Sequence, residues 1–485
     1  MSVKRTKIVA TVGPSSESKE NLLALARAGV NVFRLNFSHG THEDHLVRVQ
    51  RIRELNAEHG LNLAILQDLQ GPKIRIGNVE HKDGVLIEAG NELVFTNEEL
   101  LGTAQRVSTP YKGMYQDVKI GERIMLDDGK LEVKVVRVEG TDVVTEVVYG
   151  GILKAKKGVN LPSTKISMPS ITDKDYADLD FGLLHDVDWI ALSFVREAKE
   201  IEDVKAYIQA RGKRSRVIAK LEKPEAILNL DAIIAATDGV MVARGDLGVE
   251  MPGEEVPMIQ KTIVEKCNIA GKPVIVATQM LETMITDPRP TRAEINDIAN
   301  SVLDGADAVM LSGETASGKY PVLAVEYMAK PIVNVEENEA KKKFNETKIF
   351  FRHHSAVVDQ PGANVLNDNV VMSACRLARD THARAIIGVT RSGYTGYRLA
   401  HHRPLAELYV FTPDKTLLTQ LSLYWGINTI FYDRAELVTD ELIEDIKQVL
   451  VDRGNLVLGD VFINTLSMPI SQNRKTNAVK LSVVE

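Results

Sequence analysis

The chain has 485 residues, 44% of them hydrophobic and 26% charged, enough apolar material for two to four folded units with cores of their own. A net charge of −7 excludes the broad basic face that general nucleic-acid binding requires, so any anionic substrate has to be gathered by local cations. Two cysteines exclude a disulfide framework or a cysteine metal site, no apolar run is long enough to cross a bilayer, and the start lacks a signal-type apolar region; the expected location is cytoplasmic.

The first strand-like run is KIVATVG from Lys7. A helical pattern follows, SKENLLALARAG, opening on the capping residue Ser18 and stopping at Gly29. NVFRLNF from Asn31 and NLAILQDL from Asn62 are the second and third runs. Between about residues 72 and 165 the period drops to two. GVLIEAGNELVFT, ERIMLDDGKLEVKVVRVEG and DVVTEVVYGG there read as hairpin strands with Asp-Gly and Gly-Gly turns. The apolar series resumes with DWIALSF from Asp188, and the helical pattern AKEIEDVKAYIQARG after it ends at Gly212. SRVIAKLE from Ser215, GVMVARGD from Gly239, PVIVATQM from Pro273 and DAVMLSGE from Asp307 complete eight runs.

Near-continuous apolar runs are strands covered on both faces. Eight of them with helices between is the arithmetic of a (β/α)₈ barrel, an α/β fold, with an open doubly wound sheet as the alternative. The β-rich stretch falls in a βα loop, at the strand ends where barrel active sites lie, and is placed to act as a lid. After about Lys330 the charged stretch EENEAKKKFNE reads as a linker. In the third unit HARAIIGVT, ELYVFTP and NTIFYD alternate with helical segments, and NLVLGDVFINTLS and NAVKLSVVE close the chain. The expected division is a barrel at 1–71 and 166–340, an inserted β domain at 72–165 and an α/β domain at 341–485.

Polar residues end these strands. The second gives Arg34, Asn36, Ser38 and His39, the third Asp68, the fourth Ser193, the fifth Lys220 and Glu222. The sixth gives Arg244, Gly245 and Asp246, the seventh Thr278 and Gln279, the eighth Ser312 and Glu314. Singly, an aspartate here is a helix cap and a Lys near a Glu is a surface pair worth under ~1 kcal/mol. Seven strands ending this way on one rim are not explained by capping. Glu222 and Asp246 are hard oxygen ligands suited to Mg²⁺ or Mn²⁺. Lys220 is a fixed cation for a developing enolate or phosphoryl charge, and Arg34 one for phosphate oxygens. Gly245, with a helix expected from about Asp246, offers backbone N–H donors to an anionic group. Thr278 can orient a proton-carrying water.

TKIVATVGPSS, RLNFSHG, DLQGPKIR, KKGVNLP, AKLEKPE, MVARGDLGVE, ATQMLETM, PRPTRAE, DGADAVMLSGETASGKYP and TNAVKL resemble pyruvate kinase, in order along the whole chain. The resemblance implies a TIM barrel, a small β-barrel lid inserted after the third strand, a C-terminal α/β regulatory domain and a homotetramer. It implies phosphoryl transfer from phosphoenolpyruvate to ADP, giving pyruvate and ATP. Arg34 would then hold the transferring phosphoryl group, with Asn36, Ser38, His39, Arg75 and Lys157 near the nucleotide phosphates. Lys220 would stabilise the phosphoryl group and the enolate, and Glu222 and Asp246 would bind Mg²⁺. Gly245, Asp246 and Thr278 would contact substrate, Thr278 would help the enolate take a proton, and Ser312 and Glu314 would shape the proton path.

One departure bears on a cofactor. Familiar members hold K⁺ partly through an aspartate-threonine pair after strand 3, with a glutamate shortly beyond. This chain keeps Asn36, Ser38 and Asp68 but has Leu69, Gln70, Lys73 and Ile76 where the family has threonine, lysine, glutamate and threonine. Exchanging a carboxylate for an ammonium shifts local charge by two units, each worth ~4 kcal/mol at ~4 Å and an effective dielectric near 20. K⁺ is therefore expected not to be required, with Lys73 in its role. Thr390, Arg391, Ser392, Gly393 and Thr395 occupy the place of the family's effector loop. The later loop, SMPISQNRK from Ser467, lacks the tryptophan and Gly-rich pattern that accompany fructose 1,6-bisphosphate, which points to a sugar monophosphate or a nucleotide. A different metal-dependent barrel enzyme that forms an enolate would explain Glu222 and Asp246 but not Arg34, the insert or the third unit. A non-catalytic metabolite sensor would not need the catalytic positions that this chain keeps.

Overall fold

The computed structural model describes residues 4–162, 164–345, 365–434, 439–468 and 475–485. Three strands open the chain: β1 (Lys7–Thr11), β2 (Val32–Asn36) and β3 (Ala64–Asp68). The first helix, Lys19–Ala28, is capped as expected: Ser18 accepts from Asn21 N–H, and Gly29 ends it. After β3 the chain turns out through Gly71 at φ 66°, where an added Cβ would stand 2.9 Å from Ser193 and Phe194 atoms. Only glycine permits that exit.

The excursion carries β4 (Val85–Ile87), β5 (Glu92–Thr96), β6 (Arg106–Ser108), β7 (Arg123–Leu126), β8 (Leu131–Glu139), β9 (Asp142–Tyr149), β10 (Gly151–Leu153) and β11 (Val159–Asn160). Six of them form a sheet in the order β11-β7-β8-β9-β5-β6 around Leu93, Phe95, Ile124 and Val133, and β10 pairs with β4 apart from it. The Asp128-Gly129 turn closes the expected β7–β8 hairpin. The Gly150-Gly151 pair does not make a hairpin: β9 lies between β5 and β8, while the chain at Gly151 crosses to β4. A two-residue period identifies a strand's faces, not its neighbour. The two legs of the excursion run together, Ile76 N–H bonding Lys157 O at 3.0 Å and Val159 N–H bonding Ile74 O at 3.0 Å.

The parallel series then continues with β12 (Trp189–Leu192), β13 (Arg216–Leu221), β14 (Gly239–Ala243), β15 (Val274–Ala277) and β16 (Ala308–Leu311). It closes into a barrel in the order β1-β16-β15-β14-β13-β12-β3-β2. Alternation sorts the side chains into two sets. Val9, Val32, Leu66, Trp189, Ile218, Met241, Ile275 and Met310 belong to one apolar cluster. Ile8, Phe33, Leu35, Ile65, Ile190, Val217, Val240 and Val309 belong to another, shared with helix residues such as Leu22, Ile52 and Ile201. The helix Ala198–Ala210 is capped at Arg211, one residue before the expected Gly212.

The stretch expected to be a linker is helical as far as Asn345, where the described residues break off. Pro321–Asn345 is one helix with Pro331 inside it. Glu, Ala and Lys are strong helix formers as well as charge carriers, and here propensity prevails. Its Glu336 accepts the N–H groups of Arg5 at 2.8 Å and Thr6 at 2.6 Å, which fixes the entry to β1. The last unit holds β17 (Ala385–Val389), β18 (Glu407–Thr412), β19 (Ile427–Phe431), β20 (Val461–Leu466) and β21 (Ala478–Val483) in the order β19-β18-β17-β20-β21, only β21 antiparallel. It sits against the N-terminal ends of the barrel strands: Lys7 donates to Ile427 O at 2.7 Å and Trp189 to Gln420 O at 3.2 Å. The polar rim is thereby left to the other end. No helix among the described residues is long and apolar enough to cross a membrane.

Candidate active site

The period that fills the barrel interior also aims the functional side chains. Val9 is followed two residues on by Thr11, Val32 by Arg34, Leu66 by Asp68, Ala191 by Ser193, and Ile218 by Lys220 and then Glu222. Each strand's inward face thus changes from apolar to polar at the same height. Asp68 is the hub. Arg34 Nε lies 2.6 Å from its Oδ2, and Lys220 Nζ lies 3.1 Å from its Oδ1. Lys220 also donates to Ser193 Oγ at 2.7 Å and stands 3.0 Å from Glu222 Oε1. Phe194 N–H donates to Glu222 Oε2 at 2.8 Å, and Arg34 Nη1 to Thr11 Oγ1 at 2.9 Å. Thr11 lies within TKIVATVGPSS, but only this parity brings it to the rim.

The Asp68 and Glu222 side chains are each 1% exposed, so these are not surface pairs. Burial opposes the charge on Lys220, but Asp68 and Glu222 outweigh it and hold the ammonium above its ordinary range. Burial opposes ionised Asp68 too, and there Lys220 and Arg34 prevail, keeping the carboxyl below its usual range. Glu222 behaves differently: burial lifts it, Lys220 counteracts this, and the like charge of Asp246 adds to the lift. Attraction to Lys220 alone would lower Glu222 as it raises Lys220. The upward displacement of Glu222 comes first from its burial, with the like charge of Asp246 adding to it, and a bound divalent cation would oppose both.

Asp246 lies on the helix Arg244–Glu250, which starts two residues earlier than expected. Gly245 N–H is not an open donor: it is bonded to Thr278 Oγ1 at 2.8 Å. A hydroxyl from the neighbouring strand end occupies the position expected for an anionic group. Thr278 and Gln279 hold φ of 68° and 54°, costly for a β-branched residue. Arg244 secures that bend, donating to Thr278 O at 2.6 Å and Ala277 O at 3.2 Å and pairing with Asp297 at 2.7 Å. Glu314 is buried, accepting from Leu281 N–H at 3.0 Å and Ser312 N–H at 2.7 Å, so its carboxylate braces the loops after β15 and β16. Burial pushes its carboxyl up.

On the β2 side, Asn36 Oδ1 accepts Ser38 N–H at 3.1 Å. Burial lowers the His39 imidazole, and Arg75, Arg34 and Lys73 lower it further; these cations gather at one part of the rim. Lys157 belongs instead to the insert, 2.6 Å from Asp127 in the β7–β8 turn. Of the residues expected at the former K⁺ position, Leu69 does not present its side chain. It packs in the outer apolar cluster with Ile65, and only its carbonyl faces the site, accepting from Ser193 Oγ at 2.7 Å. One step beyond inward-facing Asp68, parity turns it outward. Ile76 likewise lies in the core of the insert. Lys73 Nζ stands 3.6 Å from Asp246 Oδ1.

His45 fastens the loop that carries Ser38 and His39. Its ring stacks on Phe37 at 4.0 Å and its Nε2–H donates to His39 O at 2.9 Å. Burial pushes its pKa down to about 4. A free imidazole titrates near 6.5. Between those values the unfolded chain binds more protons than the folded one, so stability is lost as pH falls through that window. The thermal midpoint is expected to fall from about pH 7 to about pH 5 more steeply for the wild type than for His45→Leu, by calorimetry; equal slopes would remove His45 from the account.

In the third unit, Thr390 Oγ1 accepts Gly393 N–H at 3.0 Å, and the Thr395 and Thr476 hydroxyls bond at 2.5 Å. Both threonines of the expected effector loop are committed within the protein, leaving Arg391 and Ser392 exposed. Most of the later loop, residues 469–474, lies outside the described residues.

Family models described as "Pyruvate kinase, barrel domain" and "Pyruvate kinase, alpha/beta domain" match residues 3–325 and 368–482. A pyruvate kinase of Geobacillus stearothermophilus is 41% identical over 99% of this chain and 80% of its own length. One of Staphylococcus epidermidis is 40% identical over 99% of this chain and 81% of its own. The crystal structure of a pyruvate kinase from Cryptosporidium parvum superposes with a TM-score of 0.91 at 34% identity, covering 99% of this chain and 96% of that one. Barrel, insert, third unit and a rim centred on Lys220 thus coincide with likeness along nearly every residue, and the chain belongs to the pyruvate kinase family.

Proposed function

We propose that this enzyme transfers the phosphoryl group of phosphoenolpyruvate to ADP, giving pyruvate and ATP, the last step of glycolysis. The observation that carries this reading is the Lys220 ammonium, buried and kept charged between Asp68 and Glu222 with Arg34 beside them. In the transfer an ADP oxygen bonds to phosphorus as the phosphorus–enol oxygen bond breaks, and the enolate left behind takes a proton at carbon. Arg34 and Lys220 supply fixed positive charge to the phosphoryl oxygens and the enolate oxygen. Thr278, held in its strained bend by Arg244, would direct the proton. Glu314 acts through its hold on Ser312 and Leu281.

Among the described residues no group of three or more His, Cys, Asp or Glu side chains could hold a metal ion. Two carboxylates fit Mg²⁺ or Mn²⁺, which keep several water and substrate oxygens and need few protein ligands. Glu222 and Asp246 would be those ligands, and a bound ion would supply neutralisation of phosphoryl and carboxylate charge. Asp68 has each of its oxygens beside a cation, and Lys73 adds an ammonium near Asp246, which supports catalysis without K⁺. Asn36, Ser38, His39 and Arg75 are the nucleotide-phosphate candidates, with Lys157 reaching them only from the insert. A homotetramer and a phosphorylated effector at Arg391 and Ser392 belong to the same reading; a thermal shift with a sugar monophosphate or nucleotide would support the effector, and none would remove it.

The experiment is ATP-linked pyruvate formation from phosphoenolpyruvate and ADP with Mg²⁺, read through lactate dehydrogenase. Turnover above about 1 s⁻¹ is expected, within the common enzyme range. No pyruvate, with aldol or lyase products instead, would replace this reading with another enolate chemistry.

A further inference from the structure

Beside the rim, and outside the roles assigned above, lies a second buried ion pair. Lys223 Nζ is 2.7 Å from Glu250 Oε1, and the two side chains are 8% and 0% exposed. Asn160 Nδ2, on β11 of the insert, donates to the same oxygen at 2.8 Å. The positions matter more than the pairing. Lys223 is the residue directly after Glu222. Glu250 follows Asp246 by four residues, one turn along the helix Arg244–Glu250. The pair therefore joins the two backbone segments that carry the proposed metal carboxylates, and a single carboxylate oxygen adds the returning leg of the insert to the same point.

A buried ion pair is a weak source of stability, since apolar residues of similar volume commonly serve as well or better. Its use lies in setting geometry. Through Lys223 and Glu250 the end of β13 and the helix Arg244–Glu250 are joined at one fixed point. On the reading that Glu222 and Asp246 bind the divalent ion, we infer that Lys223, Glu250 and Asn160 are positioning residues that set the spacing of those carboxylates and tie it to the insert.

Mn²⁺ binding to the full-length enzyme without substrates, counted as free Mn²⁺ by electron paramagnetic resonance, tests this. Lys223→Met combined with Glu250→Leu leaves no uncompensated charge and is expected to fold, which its thermal midpoint checks. Its Mn²⁺ Kd is expected to rise about tenfold, the usual loss when support behind metal ligands is removed. Lys223→Arg, which keeps the charge, is expected to stay within about threefold of wild type, a rescue that bulk packing would not supply. Asn160→Ala, with the ion pair intact, is expected to weaken binding in the same direction. A folded double variant with a Kd within about twofold of wild type would overturn the inference, and if that variant does not fold, the same result for Asn160→Ala would do so. Unchanged Mn²⁺ binding in Glu222→Gln would instead overturn the metal reading on which it rests.

Discussion

Lys220→Ala is expected to lower turnover at least ~10²-fold, because it removes the one cation placed between Asp68 and Glu222. The physical reason is preorganisation: the ammonium is buried, stays charged, and needs no rearrangement when negative charge develops on the enolate oxygen. The same substitution strands two carboxylates that are each 1% exposed, and breaking a buried pair in this way costs about 3–5 kcal/mol of stability. Turnover and thermal midpoint are therefore measured together. Lys220→Met, which keeps most of the volume, separates lost charge from lost packing. Lys220→Arg is not expected to restore activity, since a planar guanidinium cannot meet Ser193 Oγ, Asp68 and Glu222 as a compact point charge does. A folded Lys220→Met enzyme with turnover within tenfold of wild type would contradict the role assigned to this residue.

The second large effect concerns Lys73. Wild-type turnover in a Tris buffer with Mg²⁺ is expected to change less than tenfold when K⁺ is added, whereas Lys73→Glu is expected to be poorly active until K⁺ is supplied. Two units of charge are exchanged at a group 3.6 Å from Asp246, and each unit is worth up to ~4 kcal/mol at such a distance with a dielectric near 20. Both side chains are 27% exposed, so solvent reduces this figure. A tenfold difference needs only about 1.4 kcal/mol, which leaves ample margin. The outer-facing Leu69 side chain does not stand in the way, because the site is approached by its carbonyl. A tenfold or greater response of the wild type to K⁺ would refute the substitution argument, and so would a Lys73→Glu variant indifferent to K⁺.

The placement of Arg34, Asp68, Ser193, Lys220 and Glu222 around one point could be read from the residues, since a strand that alternates apolar positions must carry its next polar residue to the same face. Leu69, adjacent to Asp68, has to face the opposite way for the same reason, so it meets the site through its carbonyl alone. Gly245 was expected as an open donor, but its N–H group is met by Thr278 from another strand. The stretch EENEAKKKFNE was read by charge when its helix propensity decided the outcome. Gly150-Gly151 has the chemistry of a hairpin turn, yet the partner of β10 is β4, more than sixty positions earlier in the chain.

The sequence by itself determined the eight parallel runs, the inserted β region, the third unit and the rim on which polar residues collect, because periodicity and turn chemistry act over a few residues. Only the tertiary structure decided which donor meets which acceptor. Thr278 with Gly245, Asp68 between Arg34 and Lys220, and Glu250 with Lys223 and Asn160 join residues 27 to 152 positions apart. Such pairings are set by closure of the barrel and by the competition of buried polar groups for partners, and no local pattern encodes that competition.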